Sequence, residues 1–315
     1  MVTFTQKADI TTIGDYIFRH FITPQSQVET LVTYFVRDLG MRDFAVLYPN
    51  EPYGKAFMSL FWDEVIRQGG RMVGVEAYSP GQADFAATIK KLIGQNHTVP
   101  ADLKARSVVQ VEKPSIDQRR SNSEGSLESM LPDPAARESG LFYQNPEQPR
   151  TGRFSSAAGF DVLFIPDAPK TAGLILPQLV YHDIENVYLA GTNLWHSQQL
   201  IDMASPYAQN AVMVDGFYKD SASETVRKFV ESYRSIYGTD PGIMEAFAFD
   251  TANLMFELLS YPDLHLRHQL RDALKQAYQP DGVTGPTAFA ANREAVKQLS
   301  LLRIKGDRFV EIPHP

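Results

Sequence analysis

Two short polar clusters, Pro166-Asp167-Ala168 and Gly191-Thr192-Asn193-Leu194-Trp195, hold most of the chemistry this chain offers. Together they supply a carboxylate, a hydroxyl, an amide and an indole. Groups of this kind hold a small polar molecule by hydrogen bonds, and an amine on it would find both a carboxylate and an aromatic face. Each also has a plain structural alternative. Asp167 stands where it would cap a following helix, and Trp195 where it would pack on the surface or against another part of the protein. Catalytic patterns are missing: there is no G-x-S-x-G, no P-loop and no G-x-G-x-x-G. His265 and His268 lie three apart on an expected helix, but no second ligand pair completes a metal site, so they read as solvent-facing. The expectation is a binding protein, not an enzyme, with no catalytic residues, no metal and no cofactor.

The elements that must position these clusters are legible around them. Val162 to Ile165 is an apolar run stopped by Pro166, suited to a strand covered on both faces. Leu174, Ile175, Leu179 and Val180 follow at helical spacing, with Pro169 in the first turn and Pro177 deep enough to bend the helix. Val187 to Leu189 starts a second strand, closed by Gly191. Two parallel strands joined by a helix require a right-handed crossover. In such sheets ligands bind beyond the strands' carboxyl ends, where both polar clusters fall.

The same alternation runs through the preceding part of the chain. Thr23-Pro24 opens a helix that Gly40 ends; Phe44 to Tyr48 is a strand, and Pro49 to Gly54 turns the chain at its carboxyl end, with Tyr53 in that turn. A helix over 54–68, a strand over 72–78 and a helix begun or capped by Asp84 follow. Residues 14–23 read as extended. The pattern specifies an α/β protein. Residues 95–158 break the rhythm with Pro, Ser, Gln and charge, and read as a surface insertion. After a strand at 211–217 come three helices, 223–237, 243–259 and 264–278; the second is apolar nearly all round and is expected to be buried on several sides. The tail forms a hairpin around Lys305-Gly306-Asp307.

Composition narrows the function further. The chain has 315 residues, net charge −7 and 43% hydrophobic residues, which supports a sizeable core and argues against a nucleic-acid partner. It has no cysteine, which excludes disulfides, thiol nucleophiles and thiolate zinc sites. No window reaches the roughly 18 uninterrupted apolar residues of a membrane span. The opening MVTFTQKADITTIGDYIF lacks the basic start and apolar core of a signal peptide.

An ordered series of segments resembles a known family. FR…P.SQ near 18–27, FAVLYPNEPYGKAF, YSPGQADFAATIKKL, DVLFIPDAP, AGTNLW, VDGFY, YG..P…AFAFDTANL and GPTAFA together are similar to the type I periplasmic solute-binding proteins, above all their branched-chain amino-acid-binding group. LFIPDAPKTAGLILPQL…LAGTNLW resembles most the branch that activates penicillin-binding proteins. The resemblance implies a type I periplasmic-binding-protein-like α/β fold, a parallel-sheet lobe plus an incomplete second lobe. Residues 1–20 would be an inter-lobe crossing and 21–220 the ligand-binding lobe with its insertion at 95–158. Residues 221–284 would be a helical remnant of the other lobe, and 285–315 the return crossing with the C-terminal hairpin. The early half of that other lobe is expected to be missing. The ligand residues implied are Tyr53, where family members supply an aromatic contact, with Asp167, Ala168, Thr192, Asn193 and Trp195. Tyr53 has its own alternative, a turn aromatic packed on its helix. The function implied is non-catalytic binding of a small polar or amino-acid-like solute for an ABC permease in the periplasm. The alternative is an interaction module that regulates a cell-wall synthase. The apolar helices at 223–259 are expected to drive self-association.

Overall fold

A computed structural model describes residues 1–7, 9–94 and 158–313. The insertion expected at 95–158 lies outside the described residues, apart from Ala158. The chain opens with β1 (Val2–Thr3), parallel to β2 (Phe18–Arg19). The extended stretch expected over 14–23 is therefore only two residues of strand. Helix α1 (Pro24–Thr33) starts where the sequence signals it: Thr23 accepts the Ser26 N–H at 3.0 Å and Pro24 occupies the first turn. The coil widens to a π-helical turn over Tyr34–Asp38 and ends before Gly40, whose φ of +70° suits glycine.

The alternating elements follow in the expected order. They are β3 (Asp43–Pro49), α2 (Pro52–Arg67), β4 (Arg71–Tyr78), α3 (Ala86–Ile93), β5 (Val162–Phe164), α4 (Pro169–Tyr181) and β6 (Tyr188–Gly191). Pro177 lies inside α4 without ending it. A short helix the sequence pattern did not signal, α5 (Gln198–Ala204), precedes β7 (Val212–Asp215). These strands pair in parallel, β4 with β3, β3 with β5, β5 with β6 and β6 with β7.

Period-two alternation divides the core. Phe44 and Phe164 project to one face, where the Phe61 ring of α2 stacks on Phe164 with centroids 4.4 Å apart and meets Phe44 edge-on. Ala45, Leu47, Leu163 and Ile165 project to the other, against Phe85 and Ile89 near α3, Ile175 and Leu176 of α4, and Leu200 of α5. Both faces are covered, which is why the strands are short uninterrupted apolar runs.

The later elements are α6 (Glu224–Tyr237), α7 (Ile243–Leu259), α8 (Arg267–Gln276), β8 (Tyr278–Gln279), β9 (Thr287–Phe289) and β10 (Ala295–Lys297). Strands β8 to β10 make a small antiparallel sheet. The hairpin is present as β11 (Ser300–Lys305) and β12 (Arg308–Ile312), with Gly306 at φ +66° in its turn. It is not confined to a return crossing: β11 pairs antiparallel with β7, giving a seven-stranded sheet in the order β12-β11-β7-β6-β5-β3-β4. The Tyr218 hydroxyl donates to the Phe309 carbonyl at 2.8 Å and so occupies part of the outer edge of β12.

Helix α7 departs from expectation. Ala246, Phe247, Asp250, Leu254 and Leu258 are buried, but Met244, Phe249, Phe256 and Leu259 are exposed. One side packs on Phe18, Phe289 and Leu274 of α8. Among the described residues no layer covers the opposite side, so an all-apolar helix is buried on one side only.

Candidate functional site

The sheet order places a topological switch point between β3 and β5. From β3 the chain passes through α2 to β4 on one side; β5 then lies on the other side of β3, and α4 carries the chain onward to β6. α2 covers the Phe164 face and α4 the Leu163 face, so the two loops leave the sheet toward opposite faces, the arrangement at which open α/β sheets bind ligands beyond their strand ends. Tyr53 lies in the first turn of α2, Asp167 and Ala168 come from the loop after β5, and Thr192 and Asn193 from the segment after β6.

These side chains converge. The Tyr53 hydroxyl and Thr192 Oγ1 are 3.1 Å apart. Asp167 accepts the Tyr78 hydroxyl on Oδ2 at 2.6 Å and the Ala168 N–H on Oδ1, also at 2.6 Å. Asp167 and Ala168 are half-buried. Burial, aided by the charge of Asp167 and opposed by the Thr192 hydrogen bond, pushes the Tyr53 phenol up to about 12. Burial first, then the hydrogen bond to Asp167 and its charge, drives Tyr78 higher still. Both phenols therefore stay protonated near neutral pH and act as hydrogen-bonding groups. Tyr53 also packs on Phe57 at 4.8 Å, the contact its structural alternative expects.

Trp195 lies elsewhere than expected. It is fully buried, on the core side of the loop. Its indole N–H donates to the Asp167 carbonyl at 3.2 Å. A Cβ at position 191 would sit 2.0 Å from the indole, so Gly191 is required by the ring's close approach. The indole fastens the Asp167 loop to the Thr192 segment and is enclosed by protein. Asn193 is half-buried, and its backbone N–H donates to Gln27 Oε1 of α1 at 2.9 Å.

Two residues of this edge escaped sequence reasoning. Tyr78, the last residue of β4, was detectable by the strand-end rule that singled out the others. Gln27 reaches the edge from α1, and nothing in its spacing signals that; its Nε2 is buried without a partner. Beside the edge, His196 Nδ1 lies 2.6 Å from Asp215 Oδ2 at the end of β7. Among the described residues no cluster of three or more His, Asp or Glu is placed to hold a metal, and no helix is long and apolar enough to cross a membrane. The arrangement gathers the fully buried Thr192 hydroxyl, the half-buried Tyr53 phenol and a half-buried carboxylate whose two oxygens already accept hydrogen bonds.

A switch point on a mostly parallel sheet covered by helices on both faces is the architecture of an open α/β fold. The chain belongs to the periplasmic binding protein family, whose model, described as "Periplasmic binding protein", matches residues 3–99 and 155–308. Its fold is the type I periplasmic-binding-protein fold.

Solved structures agree at the level of fold. A protein described as a branched-chain amino acid ABC transporter from Rhodospirillum rubrum superposes with a TM-score of 0.72 at 19% identity, over 98% of this chain and 71% of that one. The substrate-binding protein LivJ of Streptococcus pneumoniae, solved with isoleucine, gives 0.58 at 17% identity over 98% and 71%. A substrate-binding protein from Desulfitobacterium hafniense, solved with Leu, gives 0.61 at 18% identity over 99% and 72%. No curated protein sequence matches the chain.

Proposed function

We propose that this protein is a non-catalytic solute-binding protein of the ABC-transporter type that works in the periplasm and delivers its ligand to a permease. The observation that carries the reading is the convergence of Tyr53, Asp167 and Thr192 at the switch point. The ligand is a small polar or amino-acid-like molecule whose amine faces Asp167 and Tyr53, with Ala168 and Asn193 completing the edge. Trp195 serves the site by holding the loops. Residues 21–220 act as the ligand-binding lobe, extended by the β11–β12 hairpin. Residues 1–20 and 285–299 act as connections to a second lobe, of which the helices within 221–284 are part. The relatives solved with isoleucine and with Leu support an amino acid as the first ligand to test.

The test is calorimetric titration with leucine, isoleucine and their amine-free keto acids. Saturable binding of an amino acid, lost in Asp167→Asn and absent for the keto acids, is the expected result. Equal binding of both ligand types removes Asp167 from the amine contact. No binding of any of them, with specific capture of a peptidoglycan synthase, would favour the other reading, a synthase regulator of the penicillin-binding-protein-activator branch.

A further inference from the structure

Fully buried His20 and partly buried Lys297 meet in a seam with no carboxylate between them among the described residues. His20 follows β2 and is fully buried. Its Nδ1 lies 2.7 Å from Thr251 Oγ1 of α7, and its Nε2 lies 3.2 Å from Lys297 Nζ of β10. Lys297 donates to Thr287 Oγ1 of β9, and its nitrogen stands 5.1 Å from the centre of the Phe247 ring of α7. Phe247 and Phe289 close around the imidazole edge-on, at 5.3 and 5.9 Å.

The charged groups on the surrounding elements are already engaged. On β2, Arg19 pairs with Glu294 of the β9–β10 connection at 2.5 Å. On α7, Asp250 accepts the N–H groups of Val283 and Thr284 at 2.8 Å each, and the Thr284 hydroxyl. The seam thus holds two bases side by side, and the Asp250 carboxylate of α7 is directed at another loop. A buried cation needs a partner or loses its proton. Two cations 3.2 Å apart, with neither paired to a carboxylate, are strongly disfavoured.

We propose that the His20–Lys297 pair is an acid-sensitive latch: the packed seam of β2, β9, β10 and α7 excludes a second proton, so mild acid drives it open. Burial, with the charge of Lys297 adding to it, lowers His20 from 6.5 to about 3. Burial lowers Lys297 from 10.5 to about 7, with Asp250 acting the other way. The sign follows from proton uptake. Between pH 6.5 and about 3 an opened seam binds a proton on His20 that the closed seam refuses, so closure weakens as pH falls through that window. Lys297 has the same effect between pH 10.5 and about 7. Any consequence for ligand retention rests on the solute-binding reading; the latch itself does not.

Native-state hydrogen exchange on the whole chain reads the latch directly. The Arg19 N–H donates to the Arg293 carbonyl and the His20 N–H to the Thr3 carbonyl, each at 3.0 Å, and both bonds break when the seam opens. Their protection factors are expected to fall about twentyfold from about pH 7 to about pH 5, while β3 amides hold steady. In His20→Asn the fall should disappear. Protection that is equal at the two pH values, or that falls just as far in His20→Asn, overturns the proposal. Should that variant not fold, imidazole ¹⁵N shifts of the unaltered protein decide: a His20 ring still neutral at about pH 5 supports the latch, and one with its midpoint above that refutes it.

Discussion

The Asp167 carboxylate and the Trp195 indole are joined through one loop, yet their roles separate cleanly. Asp167 is half-buried at the strand ends and accepts the Tyr78 hydroxyl, whereas Trp195 is fully buried in the core. Trp195→Ala should therefore lower stability by about 3–5 kcal/mol, the range for deleting a buried large aromatic. Tyr53→Phe removes one hydroxyl at a half-buried position and should change stability by less than about 1.5 kcal/mol while weakening ligand binding. Denaturant unfolding and calorimetry of the two variants separate these effects. If Trp195→Ala unfolds like the parent, the core placement of the indole is wrong. The sequence showed that Asp167, Thr192 and Tyr53 share a sheet edge, because strand ends are set by apolar runs and their stops. It did not show which way Trp195 turns. That depends on Gly191 two strands away from Tyr53, a close approach visible only when the loops are in place.

At the scale of elements, the strands with the strongest apolar runs were legible almost to the residue, since burial on both faces leaves one pattern. The segments joining α7 to the hairpin were not. Strands β8 to β10 are two or three residues long, too short for periodicity, and are held by contacts distant in sequence. Asp250 is the chief of these: from the buried side of α7 it accepts two backbone N–H groups and a hydroxyl of the 283–284 loop. In the sequence it was a polar interruption of an apolar helix. Asp250→Ala would leave buried donors without an acceptor, and each hydrogen bond to a charged group is worth about 1.5–3 kcal/mol. The expected loss is about 3 kcal/mol or more by urea unfolding, concentrated in exchange protection of β8, β9 and α7. An equally stable variant would mean that the loop finds other acceptors. Removing Asp250 also deletes the charge that favours a protonated Lys297, so the Lys297 pKa should fall further.

At the scale of the whole molecule, the uneven burial of α6 and α7 governs behaviour in solution. Phe229, Phe247 and Leu254 are buried, which meets part of their need to leave water. Ile236, Tyr237, Phe249, Phe256 and Leu259 remain exposed, Phe256 at 70%. A groove of about 800 Å³ between the two helices is lined by Phe229, Tyr233, Ile236, Tyr237 and Phe249. On α7, Phe249, Phe256 and Leu259 follow at spacings of seven and three, so they form one stripe. A contiguous apolar face of this kind marks an interface or an aggregation liability. The net charge of −7 opposes association only weakly here, because salt screens charges beyond about 8–10 Å. The chain is therefore expected to self-associate through residues 223–259, more strongly with added salt. Phe256→Glu combined with Leu259→Lys touches no buried residue and should leave unfolding unchanged while shifting light scattering toward a single copy. A parent chain that stays monomeric at high concentration and binds no hydrophobic dye would show that this face is quiet in solution, and the fold and the proposed ligand edge would stand unaffected.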